Sequence, residues 1–108
     1  MAKTAVLNKL KKYVDELIKQ KLPVEYVLLF GSQVTGKTHK DSDIDVAVVL
    51  NKIDGDFLKT ASLLYKLKRE IDPLIEPVLF ETDHDPSGFL DQIFKTGQIL
   101  YKGKYKSK

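Results

Sequence analysis

Asp43 and Asp45 lie two residues apart in an apolar run, and no other pair in this 108-residue chain is better placed to do chemistry. The run around them (Ile44, Val46, Ala47, Val48, Val49, Leu50) reads as a buried strand. Strand side chains alternate between faces, so both carboxylates project to one side. Carboxylates held side by side repel each other and lose hydration, and a cation between them relieves both costs. Oxygen ligands on a rigid strand suit a hard ion, with Mg²⁺ the first candidate because it also binds phosphates. Gly31-Ser32, directly after Val27-Leu28-Leu29-Phe30, is separated from Asp43 by ten residues. Glycine permits a sharp exit from a strand and leaves backbone N–H groups free, and Ser32 adds a hydroxyl. A phosphate seat is thus expected beside a metal seat.

The elements that must position these residues are legible in the hydrophobic pattern. Val6, Leu7, Leu10, Tyr13, Val14, Leu17 and Ile18 recur at helical spacing, which predicts an amphipathic helix from about Lys3 to Gln20, ended before Pro23. Val24 to Phe30 is a first strand, Gly31 to Ser42 a polar connection, and Ile44 to Leu50 a second strand. Asp54-Gly55-Asp56 is a turn whose second Asp can cap a helix from Phe57 to about Arg69, with Phe57, Leu58, Ala61, Leu64 and Tyr65 on its apolar face. Leu74 to Phe80 is a third strand, with Pro77 implying an edge position or a bulge. Asp85-Pro86 predicts a helix start; that helix uses Phe89, Leu90, Ile93 and Phe94 and closes at Gly97. Ile99-Leu100-Tyr101 adds a short last strand. This order describes an α/β (α+β) fold, a small mixed sheet with helices packed on it. The second and third strands are joined through a helix, so they should run parallel. Glu76 then arrives at the same end of the sheet as the two aspartates. A first strand antiparallel to the second brings Gly31-Ser32 there as well.

Bulk properties narrow the class. The length fits one domain, expected over residues 1–101, followed by a basic tail at 102–108. The net charge of +3 is concentrated in that tail: four of the 18 basic residues lie in the last seven positions, leaving 14 against 15 acidic residues in the body. Direct nucleic-acid binding is therefore not expected. The absence of cysteine excludes a disulfide framework and fits a cytoplasmic protein. No apolar stretch approaches the ~20 residues needed to span a bilayer. Lys9, Lys11 and Lys12 interrupt any signal-peptide core, so no membrane association is expected.

Two motifs compete with the aspartate pair. Gly31 to Thr38 satisfies the phosphate-loop pattern, and Asn51-Lys52-Ile53-Asp54 resembles a guanine-recognition segment. A phosphate loop must open a helix that holds the phosphates, whereas Thr38 leads into His39-Lys40-Asp41-Ser42 and a strand. The two segments also lie too close together for a GTPase sheet, so Asn51 to Asp56 is read as a turn. His84, between Asp83 and Asp85, is read as part of a polar turn. Tyr13, Tyr65 and Tyr101 are read as core or near-core.

On Gly31-Ser32, Gly36, Ser42-Asp43-Ile44-Asp45 and the strand acid of Ile75-Glu76-Pro77, the chain resembles the nucleotidyltransferase superfamily related to DNA polymerase beta. It is most similar to the minimal nucleotidyltransferases (MNT proteins) found beside HEPN-domain partners. The resemblance covers nearly the whole chain. It implies transfer of AMP from ATP to an acceptor hydroxyl with release of pyrophosphate, assisted by two Mg²⁺ ions. It implies that Asp43, Asp45 and Glu76 are catalytic and metal-binding. Gly31, Ser32 and Lys37 would bind the nucleotide. Glu76 stands where the family more often has Asp, with Asp72 as the alternative ligand, and Thr35 stands where relatives often carry Arg. The expected acceptor is a tyrosine of a HEPN partner toxin, which makes the chain an antitoxin and admits homo- or hetero-oligomers. The alternative is an antitoxin that neutralises by contact alone, with its chemistry weak or lost.

Overall fold

The computed structural model describes residues 4–35, 43–53 and 55–103. Four strands and four helices follow in the order α1 (Thr4–Lys19), β1 (Val24–Phe30), α2 (Ser32–Thr35), β2 (Ile44–Leu50), α3 (Phe57–Arg69), β3 (Ile75–Glu81), α4 (Phe89–Thr96) and β4 (Gln98–Lys102). The strands form one sheet in the order β3-β2-β1-β4. β1 runs antiparallel to both β2 and β4, and β2 runs parallel to β3. The mixed sheet expected from the sequence is present, and the α3 crossover joins its parallel pair.

Alternation along the strands divides the core in two. Val27, Leu29, Val46, Val48, Ile75 and Leu79 face α1 and α3, meeting Leu10, Tyr13, Leu17, Leu64 and Leu67. The opposite face carries Leu28, Ala47 and Val49 and is covered by Leu90 and Ile93 of α4, with Tyr26, Phe30, Phe80 and Phe94 packed around them. β2 is therefore buried on both sides, which explains its nearly continuous apolar run. Tyr13 spans the first layer and donates its hydroxyl proton to the Leu64 carbonyl at 2.9 Å. Burial, reinforced by Tyr65, raises its phenol pKa far above the ordinary tyrosine value, so it stays neutral.

Several local expectations are corrected. A single helical turn, α2, begins directly after Gly31, inside the segment read as a polar connection. Its four residues are too few for periodicity to reveal. In α3 the buried side is Leu64, Leu67 and Lys68, while Phe57, Leu58 and Tyr65 are exposed. Lys68 lies on this buried side and donates to the Pro73 carbonyl at 2.5 Å. Asp56 caps α3 as expected, accepting from the Leu58 N–H at 2.8 Å. Helix α4 starts at Phe89, later than the Asp85-Pro86 signal suggests, yet Asp85 still serves that end. Its carboxylate accepts from the backbone N–H groups of Leu90 (3.1 Å) and Asp91 (3.0 Å). Pro77 sits on an edge strand, where a missing N–H is tolerated.

Candidate active site

Asp45 and Glu76 occupy the same rung of the parallel β2–β3 pair, and the antiparallel partner of Asp45 on β1 is Phe30. Residues on one rung present their side chains on one face of the sheet. The two carboxylates, half-buried, therefore stand side by side on the face that α4 covers. Asp43 lies exposed just before β2. Gly31, with φ of 75°, turns the chain out of β1 immediately against this pair. The positive φ favours glycine at position 31, and a Cβ there would also meet the Asp45 carboxylate and force that side chain to shift.

The electrostatics follow from this crowding. Burial raises the pKa of the Asp45 carboxyl, and the negative charges of Asp43 and Glu76 push it further in the same direction. Among the described residues, no hydrogen bond or ion pair compensates the three acids. Nor are any three acids or histidines among them drawn together around one ion position. The donor set nevertheless suits a hard divalent cation: all oxygen, all anionic, and mutually destabilised without positive charge.

Asp72 has a different position. It is 8% exposed, and it accepts from the Lys9 ammonium at 2.8 Å and from the Leu74 N–H at 2.9 Å. Burial alone would raise its pKa. The hydrogen bonds from Lys9 and Leu74, with the charges of Lys9 and Lys68, outweigh that effect and hold it below the ordinary aspartate range. Its oxygens are already committed to the turn before β3. Nothing in the sequence signals the Lys9–Asp72 pair, whose members are 63 residues apart.

Ser32 begins α2 beside Gly31, although its side chain lies outside the described residues. Gly36, Lys37 and Ser42 lie outside them as well. The guanine-recognition look-alike has other duties. Asn51 donates its side-chain N–H to Glu25 at 3.3 Å, and the Ile53 N–H donates to Glu81 at 2.9 Å. His84 closes a tight turn onto the Glu81 carbonyl.

Residues 8–106 match the family model described as polymerase beta, nucleotidyltransferase. The chain belongs to that family. It is a nucleotidyltransferase of the MNT type. The MJ0141 protein of Methanocaldococcus jannaschii, which carries the provisional name of a protein adenylyltransferase, is 30% identical over 97 residues, covering 85% of this chain and 92% of its own. A toxin–antitoxin crystal structure with AMP-PNP superimposes with a TM-score of 0.65 at 26% identity, over 91% of this nucleotidyltransferase and 74% of that chain. A complex of a tri-AMPylated Shewanella oneidensis HEPN toxin with its MNT antitoxin shares the fold, with a TM-score of 0.58 at 22% identity over 91% and 71% of the two chains. No helix among the described residues is long and apolar enough to cross a membrane.

Proposed function

We propose that this nucleotidyltransferase moves AMP from ATP to the hydroxyl of a tyrosine on a HEPN-type partner protein, and that Asp43, Asp45 and Glu76 carry the reaction. The observation that carries the reading is the shared rung of Asp45 and Glu76, with Gly31 pressed against Asp45 and Asp43 adding charge to it. Solved relatives support the partner class, since similar folds include a toxin–antitoxin structure with AMP-PNP and a HEPN–MNT complex.

Asp43, Asp45 and Glu76 would hold Mg²⁺, which when bound supplies Lewis-acid stabilisation to the phosphates and lowers the pKa of an attacking hydroxyl. A triphosphate would approach the backbone at Gly31-Ser32, with Ser32 and Lys37 as its polar contacts. Asp45, at the centre, orients the α-phosphate relative to both neighbours. Glu76, on the outer strand, faces the acceptor side and takes the hydroxyl proton. The acceptor oxygen bonds to the α-phosphorus as the α–β bridge breaks, and pyrophosphate leaves with that bond's electron pair. The basic residues of 102–108 have no direct nucleic-acid role in this reading, and the first of them, Lys102, belongs to β4.

Incubation with labelled ATP, Mg²⁺ and the HEPN protein encoded beside the gene tests the reading. The expected result is a gain of AMP on a partner tyrosine. Neutralisation of the partner with no mass gain would instead assign the chain to binding alone.

A further inference from the structure

We propose that Asp72, held by Lys9, is a positioning residue for the three acids. It fixes the turn that leads into β3 and, through that turn, the peptide that joins Asp43 to Ile44. The inference rests on the reading of Asp43, Asp45 and Glu76 as the site of AMP transfer.

Every link in the path is a hydrogen bond. The Lys9 ammonium, on α1, donates to Asp72 Oδ2 at 2.8 Å, and the Leu74 N–H donates to Asp72 Oδ1 at 2.9 Å. The Ile44 N–H in turn donates to the Leu74 carbonyl at 2.8 Å. That N–H belongs to the peptide whose other half is the carbonyl of Asp43. The peptide that accepts it is gripped at its other end, because the Ile75 N–H donates to the Asp72 carbonyl at 3.1 Å. Lys68 holds the Pro73 carbonyl of the same turn. Asp72 thus fixes two successive peptides, one through its side chain and one through its backbone.

The place of this clamp in the sheet gives it a role in the site. Ile44 and Ile75 form the first rung of the parallel pair, and Asp45 and Glu76 form the second. Further along, apolar side chains packed on both faces of β2 hold the register. At the open end the negative charges of Asp43 and Glu76 bear on Asp45, and like charges on neighbouring strands oppose their pairing. Asp43 lies outside the ladder, one residue before β2. Its place relative to Asp45 depends on the peptide that the Leu74 carbonyl holds. Groups that must converge on one ion depend on such outer bonds for their orientation.

The test compares wild type with Asp72→Ala, Asp72→Asn and Lys9→Met. Tyr13→Phe is the control, since it loses the bond to the Leu64 carbonyl but no bond of this path. Amide exchange in the metal-free protein, followed by NMR, reads the geometry. AMP transfer to the partner at varied Mg²⁺ reads its effect. Asp72→Ala should speed exchange at Ile44, relative to Val46 and Val48, by about five- to tenfold, as expected for one weakened hydrogen bond. In Tyr13→Phe the three amides should change together. Asp72→Ala should also lower kcat per folded molecule by about ten- to a hundredfold and raise the Mg²⁺ needed for half-maximal rate. Asp72→Asn, which keeps an oxygen for the Leu74 N–H, should lose less. Lys9→Met should change both readouts in the same direction, and it carries the test if Asp72→Ala does not fold. Wild-type exchange at Ile44, or a loss of kcat no larger than that of Tyr13→Phe, overturns the positioning role while wild-type transfer leaves the three acids standing. Asp72→Asn as slow as Asp72→Ala, with Lys9→Met at the wild-type rate, makes Asp72 a metal ligand and also overturns it. Wild type without Mg²⁺-dependent transfer overturns the underlying site and the positioning role with it.

Discussion

The two ends of the sheet carry acids in opposite states. At the start of β1, Glu25 is 9% exposed and its Oε2 accepts from two donors, the Thr82 hydroxyl at 2.6 Å and the Asn51 amide at 3.3 Å. Glu81 nearby accepts from the Ile53 N–H. At the other end, Asp45 shares a rung with Glu76 and feels the negative charges of Asp43 and Glu76, with no hydrogen-bond donor against it among the described residues. The residue types are the same; the neighbours decide what they do. An acid surrounded by donors fixes a turn and resists change. An acid surrounded by acids keeps unspent affinity for positive charge, which is the property a catalytic site needs.

The contrast can be broken at several points, and the largest effect belongs to the crowded end. Asp45→Asn should lower the transfer rate on the order of a thousandfold or more. The melting temperature should hold or rise, because repulsion with Asp43 and Glu76 is relieved. Near-normal transfer measured with labelled ATP would sink the assignment. Glu25→Ala should do the reverse, costing about 1–2 kcal/mol in urea unfolding by removing the acceptor of Asn51 and the shorter of the two bonds of Thr82, with the rate per folded molecule kept.

Asp72 sharpens the contrast within the same end. Asp72→Asn should cost about 1–2 kcal/mol of stability through the Lys9 and Leu74 bonds, with a smaller loss of rate than Glu76→Gln. If Asp72→Asn proved the worse enzyme, the third ligand would be reassigned. The sign of its pH dependence follows from its depressed pKa in the folded state. Its contribution is complete above the unfolded aspartate pKa of about 3.9. It is lost as pH falls through the lower folded value. The stability gap between wild type and Asp72→Asn should therefore be constant near neutrality and close below about pH 4. The smallest effect expected is on base preference. Asn51→Ala should leave the ratio of ATP to GTP affinity unchanged, because that amide is spent on Glu25. A loss of GTP selectivity on this substitution would restore the guanine-recognition reading.

Much of this was readable before any coordinates, for identifiable reasons. β2 and α3 have the bounds expected because a doubly buried strand and a capped amphipathic helix leave strong local patterns. The convergence of Asp45 and Glu76 followed from topology alone, since a helical crossover forces a parallel pair and a parallel pair sets the rung. What stayed hidden was whatever depends on contacts between distant segments. The Lys9–Asp72 pair, the inward turn of Lys68 and the exposure of Phe89 have no periodic signature. The sequence marks Gly31 as a sharp exit from a strand; its close approach to the Asp45 carboxylate emerges only when β1 and β2 are paired.

The strand order also constrains how the molecule comes into being. β1, at the centre of the sheet, gains one neighbour soon after it is made, when β2 follows. Its other neighbour is β4, about seventy residues later in the chain. Until residues 98–102 have been synthesised, β1 has a row of open N–H and C=O groups along one edge, in an otherwise assembled apolar sheet. Such an edge invites pairing with another chain. The β1–β4 pairing is thus the most non-local strand pairing of the sheet and cannot precede synthesis of β4. A nascent chain stalled before β4 would be a sticky species, even with every residue of the carboxylate rung already in place.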